Sequence, residues 1–174
     1  MTKPMNKVLK AQFFVDDLSD DQKAVITDIN SYIKQGLSEK AHSIAVIEGA
    51  AGTGKSVVLM ELVRQYMTDK RYKTALVVNH PELYKAYREM GTAIPNMDVS
   101  TIRRPTSLIN DAEKNHKKYD IVFVDEAHLL YSKSEPYAHY RGQNQLTDLL
   151  NLAHVVIAVY DFEQVFQSKM YWDK

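Results

Sequence analysis

Residues 49–56 read GAAGTGKS, the full G-x-x-x-x-G-K-S pattern, between the apolar run SIAVIE at 43–48 and the helix-like VVLMELV at 57–63. The spacing predicts a strand, a phosphate-binding loop and a helix. Glycines at 49, 52 and 54 let the backbone wrap close to a polyanion, so that the N–H groups from Gly49 through Ala50, Ala51, Gly52, Thr53 and Gly54 and the following helix N-terminus point at phosphate. In this pattern Lys55 reaches the β- and γ-phosphates and Ser56 ligates Mg²⁺. An ordinary glycine turn is the alternative, and the flanking strand and helix argue against it.

Working outward, Ser19 and Gln22 form a capping-box signature, and Ala24, Val25, Ile29, Tyr32 and Ile33 recur at helical spacing up to Gly36, read as a stop. After the loop and its helix, 74–79 is a buried strand, Pro81 opens a helix to about Met90, and Met97 to Ile102 is a shorter strand. A helix is expected over Ser107 to His116, then strong apolar strands at Tyr119–Asp125 and His154–Tyr160, separated by a helix from Gln143 to Leu152. Continuous apolar strands alternating with helices mean an α/β fold with a mainly parallel sheet covered on both faces. The stretch from Ser132 to Gly142, polar and aromatic, reads as a surface loop with freedom to move.

The third strong strand ends Val124-Asp125-Glu126-Ala127-His128. Open parallel sheets bind ligands at the carboxyl ends of their strands, so Asp125 and Lys55 are expected to converge on one crevice. Asp125 suits the shell of Mg²⁺, which keeps most of its waters and takes one or two carboxylates beside phosphates. Glu126 is placed to polarise an attacking water. The same two acids could simply begin a solvated helix, where the dipole favours carboxylates. His128 reads equally as a packing residue or a functional one.

The bulk properties restrict the remaining classes. A chain of 174 residues is about one domain. Its 22 basic and 22 acidic residues leave no global field to recruit nucleic acid or membrane. With no cysteine there are no disulfides, thiolate nucleophiles or cysteine metal sites. No apolar run approaches the eighteen or so residues of a membrane span, and the first residues lack the apolar core of a secretory signal, so the cytoplasm is the expected compartment.

GAAGTGKS, then DEAH at 125–128, then AVYDFEQ at 158–164 together resemble the first motor domain of superfamily 1 helicases, in particular the helicase-like ATPase domain of bacterial proteins related to the Schlafen and PhoH-like groups. The similarity spans about Leu18 to Gln167. It implies a P-loop NTPase of RecA-like, three-layer α/β/α architecture over residues 18–174, after an N-terminal extension of residues 1–17, with ATP and Mg²⁺ as ligands. In such motors a segment ending Asp-x-x-Gln places its glutamine on the γ-phosphate or attacking water. The match is Gln164, with Asp161 as the aspartate and Tyr160 where the family usually has glycine. Read without the resemblance, Asp161 and Gln164 begin a helix after a strand.

The resemblance also implies that Gln22 reads the adenine edge, although completing the capping box explains the same residue. The segments 77–82 and 99–104 fall where these motors touch a nucleic-acid strand; Arg103 and Arg104 there read either as phosphate contacts or as solvated charges. Tyr131, Lys133, Tyr137, His139, Tyr140 and Arg141 set rings beside cations, the composition that stacks and holds single-stranded nucleic acid, or they simply decorate a mobile loop.

A complete motor has a second RecA-like domain that supplies arginine fingers, and this chain has no length left for one. The missing arginines would come from the rest of a longer protein, a partner or a second copy; Arg64 and Arg141 are the candidates within the chain. The leading expectation is an ATP-hydrolysing helicase-like motor domain with weak turnover of its own. A nucleotide-gated interaction module without hydrolysis is the second, and a small-molecule kinase the third. The adjacent acids at 125 and 126 favour water over another acceptor.

Overall fold

The computed structural model describes residues 17–50 and 52–161, so Ala51, Gln164 and nearly all of the N-terminal extension lie outside the described residues. In chain order the elements are α1 (Asp20–Glu39), β1 (Ser43–Glu48), α2 (Lys55–Met67), β2 (Thr74–Val78), α3 (Pro81–Thr92), β3 (Ile102–Arg103), α4 (Pro105–Asn115), β4 (Tyr119–Asp125), α5 (Gln145–Leu152) and β5 (Ala153–Tyr160). The strands form one sheet in the order β1-β5-β4-β2-β3, and every pairing is parallel.

That order dictates the layers. The chain steps from β1 over to β2 and out to β3, then reverses through β4 to β5. Right-handed crossovers in opposite directions put their helices on opposite faces. Accordingly α1, α2 and α3 cover one face with Ile33, Leu59, Leu62 and Tyr87, and α4 and α5 cover the other with Leu108, Ile109 and Leu149. Along β4, Ile121 and Phe123 join the first cluster while Val122 and Val124 join the second. Because both faces are buried, the strand shows no polar alternation, and its unbroken apolar run is the mark of a covered parallel strand. This is the α/β fold with helices on both faces expected for a RecA-like P-loop protein.

Several boundaries moved for identifiable reasons. The capping box at Ser19 and Gln22 is present, but α1 runs through Gly36 to Glu39 and turns out at Lys40, where φ is 50°. Gly36 therefore does not stop the helix. It permits a close approach: a Cβ there would meet Val155 Cγ2 at 2.6 Å and Ser43 Oγ at 2.9 Å. Val155 is β-branched and fixed in the central sheet, so overpacking at about 1–3 kcal/mol outweighs the helix-propensity gain of about 1 kcal/mol. Gly36→Ala is expected to lower the midpoint of thermal unfolding; an unchanged or raised midpoint would show that α1 can back away from β5 at no cost.

The strand expected at 97–102 shrinks to Ile102–Arg103, since Asp98 caps a 3-10 turn at Val99–Thr101 by accepting from the Ser100 N–H at 2.9 Å. A local side-chain bond there displaces the ladder. The helix expected at Ser107 begins two residues earlier with Pro105 as its first residue. The helix expected from Gln143 starts at Gln145, because Asn144 Oδ1 accepts from the N–H groups of Leu146 and Thr147. The stretch 132–142 is a surface loop, as expected, and it is anchored at two points. Glu135 and Tyr140 pair across it, and the fully buried Tyr140 donates its hydroxyl to Asp148 on α5. Its aromatic residues do not share one surface: Tyr140 is buried and Tyr137 stands 97% exposed.

Candidate nucleotide-binding site

The loop between β1 and α2 lies at the carboxyl edge of the sheet. Gly52 and Gly54 both have φ of 82°, the left-handed region that glycine enters without strain. At Gly49 a Cβ would meet Thr53 Oγ1 at 2.8 Å, and that hydroxyl donates to the Ala50 carbonyl at 2.9 Å, closing the loop on itself. Gly54 occupies the N-cap position of α2 and no side chain caps the helix, so its positive end faces outward.

Lys55 reaches back across the loop. Its ammonium donates to the carbonyls of Gly49 and Ala50, the latter at 2.8 Å, and lies 3.5 Å from Asp161 Oδ2 in a nearly buried ion pair. Asp161 follows β5, and β5 runs between β1 and β4. The strand order thus inserts Asp161 between the loop lysine and the acids that end β4. The resemblance singles out Asp161 as the aspartate of the Asp-x-x-Gln segment, and the fold sets that carboxylate against Lys55.

Asp125 ends β4 and is 1% exposed. Both its carboxylate oxygens are engaged: Oδ2 accepts from the Tyr87 hydroxyl at 2.6 Å, and Oδ1 from the Glu126 N–H at 3.0 Å. Burial pushes its carboxyl up to about 6, with the Glu126 charge adding to the rise and the Tyr87 bond opposing it. The phenol of Tyr87, fully buried on α3, is driven well above the usual range, first by burial and then by the charge of Asp125. The sequence reading missed Tyr87. At one position among the apolar residues of a helix it looks like core, and only the packing of α3 against β2 and β3, beside β4, brings its hydroxyl to Asp125.

Glu126 has φ of 54°, a left-handed conformation that turns the chain sharply out of β4 into the 3-10 turn Ala127–Leu129. For a residue with a Cβ this costs roughly 1–2 kcal/mol. Its carboxyl is raised by burial first and then by Asp161, while Lys55 and His80 pull the other way. Glu126 Oε2 lies 3.1 Å from Nε2 of His128, which is itself buried with its ring edge-on to Tyr160. Asp125 and Glu126 therefore do not begin a solvated helix: the turn after β4 is tight, and its histidine is inside the protein.

Gln22 sits beside the loop. Its Oε1 accepts from the Ser19 N–H at 3.0 Å while Nε2 packs against Gly54, so closely that a Cβ at Gly54 would collide with it. The two readings of Gln22 are compatible in space. Further along the carboxyl edge, Arg104 donates to Asn79 Oδ1 at 3.2 Å, and Asn79 donates to the Leu129 carbonyl. Arg103 is engaged by Ser107 and lies 3.6 Å from Asp111 on α4. Arg64 pairs with Glu61 on its own helix at 2.7 Å, and Arg141 lines a groove with Asn110 and Glu113. Neither of these last two arginines is brought to Lys55. Among the described residues no helix is long and apolar enough to cross a membrane.

Residues 42–174, most of the chain, match the sequence model of the Schlafen group 3 DNA/RNA helicase domain. The chain belongs to that family. This helicase domain is also 34% identical over 189 residues to the uncharacterized protein YPL245W of Saccharomyces cerevisiae, an alignment covering 99% of the chain and 40% of the yeast protein. The chain thus spans about two fifths of that relative's length. The family match begins after α1, whereas the similarity to the yeast protein takes in α1 with Gln22 as well. The loop, Asp125, Glu126 and Asp161 all fall within the part of the helicase domain that carries the family match.

Proposed function

We propose that this helicase domain binds ATP with Mg²⁺ and hydrolyses it as a superfamily 1-type motor, with weak turnover on its own. The observation that carries this reading is the gathering of Lys55, Ser56, Asp125, Glu126 and Asp161 at one edge of the sheet, around the end of the strand that separates the loop from the acids. The residues fit both ligands. A loop in which Gly49 has no room for a Cβ and two further glycines have positive φ is a backbone cradle for phosphates. The Ser56 hydroxyl and the Asp125 carboxylate, the latter held by Tyr87, make an all-oxygen donor set, the kind Mg²⁺ accepts while keeping its waters. The bound cation would neutralise charge on the β- and γ-phosphates.

The chain's own groups then divide the work. Lys55 would exchange its two carbonyl partners for phosphate oxygens, leaving those carbonyls to solvent and keeping Asp161 as its counter-charge. Gln22, beside Gly54, is placed to meet a base lying over the loop. Glu126, whose carboxyl is raised by burial, is a better proton acceptor than an ordinary glutamate and takes the proton of the attacking water. Gln164 would orient the same water. Arginine fingers, worth about 10³ to 10⁵ in rate, come from another domain or a partner. Single-stranded nucleic acid would run along the edge where Arg104 and Asn79 lie.

The test is phosphate release from ATP and Mg²⁺, alone and with single-stranded DNA or RNA. Lys55→Ala should weaken nucleotide binding roughly ten- to a hundredfold, since it removes charge-assisted bonds to the phosphates. Stimulation by nucleic acid that disappears in the variant supports a motor. Tight binding without turnover under every condition would favour the interaction module instead, and phosphate appearing on a small molecule would favour a kinase.

A further inference from the structure

We infer that Tyr87 is a positioning residue of the Mg²⁺ site, the donor that holds the Asp125 carboxylate in place for the cation; this rests on the nucleotide-binding reading above. Tyr87 lies on α3 and Asp125 ends β4. Fully buried, Tyr87 donates to Asp125 Oδ2 at 2.6 Å.

The direction of the bond follows from the proton inventory. An ionised carboxylate has no proton to give, so Tyr87 must donate to Asp125. Asp125 then has Oδ2 held by Tyr87 and Oδ1 by the Glu126 N–H, which fixes the plane of the carboxylate. Tyr87 thus settles the orientation of Asp125 without itself touching the metal or the nucleotide. Outer partners of this kind commonly set metal affinity by ten- to a hundredfold.

Tyr87→Phe keeps the ring in its fully buried place and removes only the hydroxyl. The experiment is equilibrium binding of a fluorescent ATP analogue to the whole chain, titrated with Mg²⁺ and repeated in EDTA, for wild type, Tyr87→Phe, Asp125→Asn and the double variant. We expect Tyr87→Phe to raise the Mg²⁺ concentration at half-saturation about tenfold or more while leaving binding in EDTA unchanged. The double variant should show no larger shift than Asp125→Asn alone, because both changes cut the same link. An unshifted Mg²⁺ midpoint in Tyr87→Phe overturns the inference. So does an equal loss of binding with and without Mg²⁺, which would mean that Tyr87 merely holds the fold, and so do additive shifts in the double variant. If wild type itself binds the analogue no better with Mg²⁺ and Lys55→Ala binds as well as wild type, the nucleotide-binding reading fails first and takes this inference with it.

Discussion

Glu126→Gln is expected to keep nucleotide binding and to lose about two to four orders of magnitude of phosphate release. Glutamine fills the same volume and can still hydrogen-bond a water, but it cannot take a proton. The backbone at Glu126 is in the left-handed region and its carboxyl is raised by burial and by Asp161, so the site holds a basic carboxylate in a turn that allows little displacement. His128, at 3.1 Å, is the neighbour that could substitute. Single-turnover phosphate release in the variant, measured with nucleotide saturating, separates chemistry from binding. Turnover retained in Glu126→Gln and lost in His128→Ala would move the base to the histidine.

The second large effect is on stability. The Asp125 carboxyl has its ordinary value near 3.8 in the unfolded chain and about 6 in the fold. Between those values the folded protein holds a proton that the unfolded chain has released, so stability falls as pH rises through this window and is level above it. A rise of about two pKa units corresponds to about 3 kcal/mol across the window. Asparagine cannot titrate, so in metal-free buffer the stability of wild type relative to Asp125→Asn should fall by up to about 3 kcal/mol between pH 4 and pH 7. Denaturant midpoints at the two pH values check this, and the carboxylates remote from Asp125 are common to both proteins and cancel in the difference. Parallel curves would mean that Asp125 is ionised in the fold without penalty.

Together the two variants separate functions that sit one residue apart. Asp125 is costly to the apo fold because it is an ionised group with almost no solvent, yet a carboxylate held by Tyr87 at the end of β4 is what an oxygen-liganded cation needs. Glu126 is less buried, and its cost lies in the backbone conformation.

Sequence by itself determined the architecture and much of the site's membership. Apolar runs of strand length, separated by helical periods, admit only a covered parallel sheet, and GAAGTGKS between a strand and a helix places a phosphate loop at its carboxyl edge. Ser19 with Gln22 marks the start of α1 because the capping box is a local contact. Gly36 was misread for the complementary reason: the same residue type stops a helix or admits a neighbour, and Val155, which decides between them, is distant in sequence. The insertion of Asp161 beside Lys55 and the bond from Tyr87 to Asp125 were likewise decided only by tertiary structure. Each depends on the spatial order β1-β5-β4-β2-β3, which sets which element ends meet, whereas local pattern reports only which face of an element is buried.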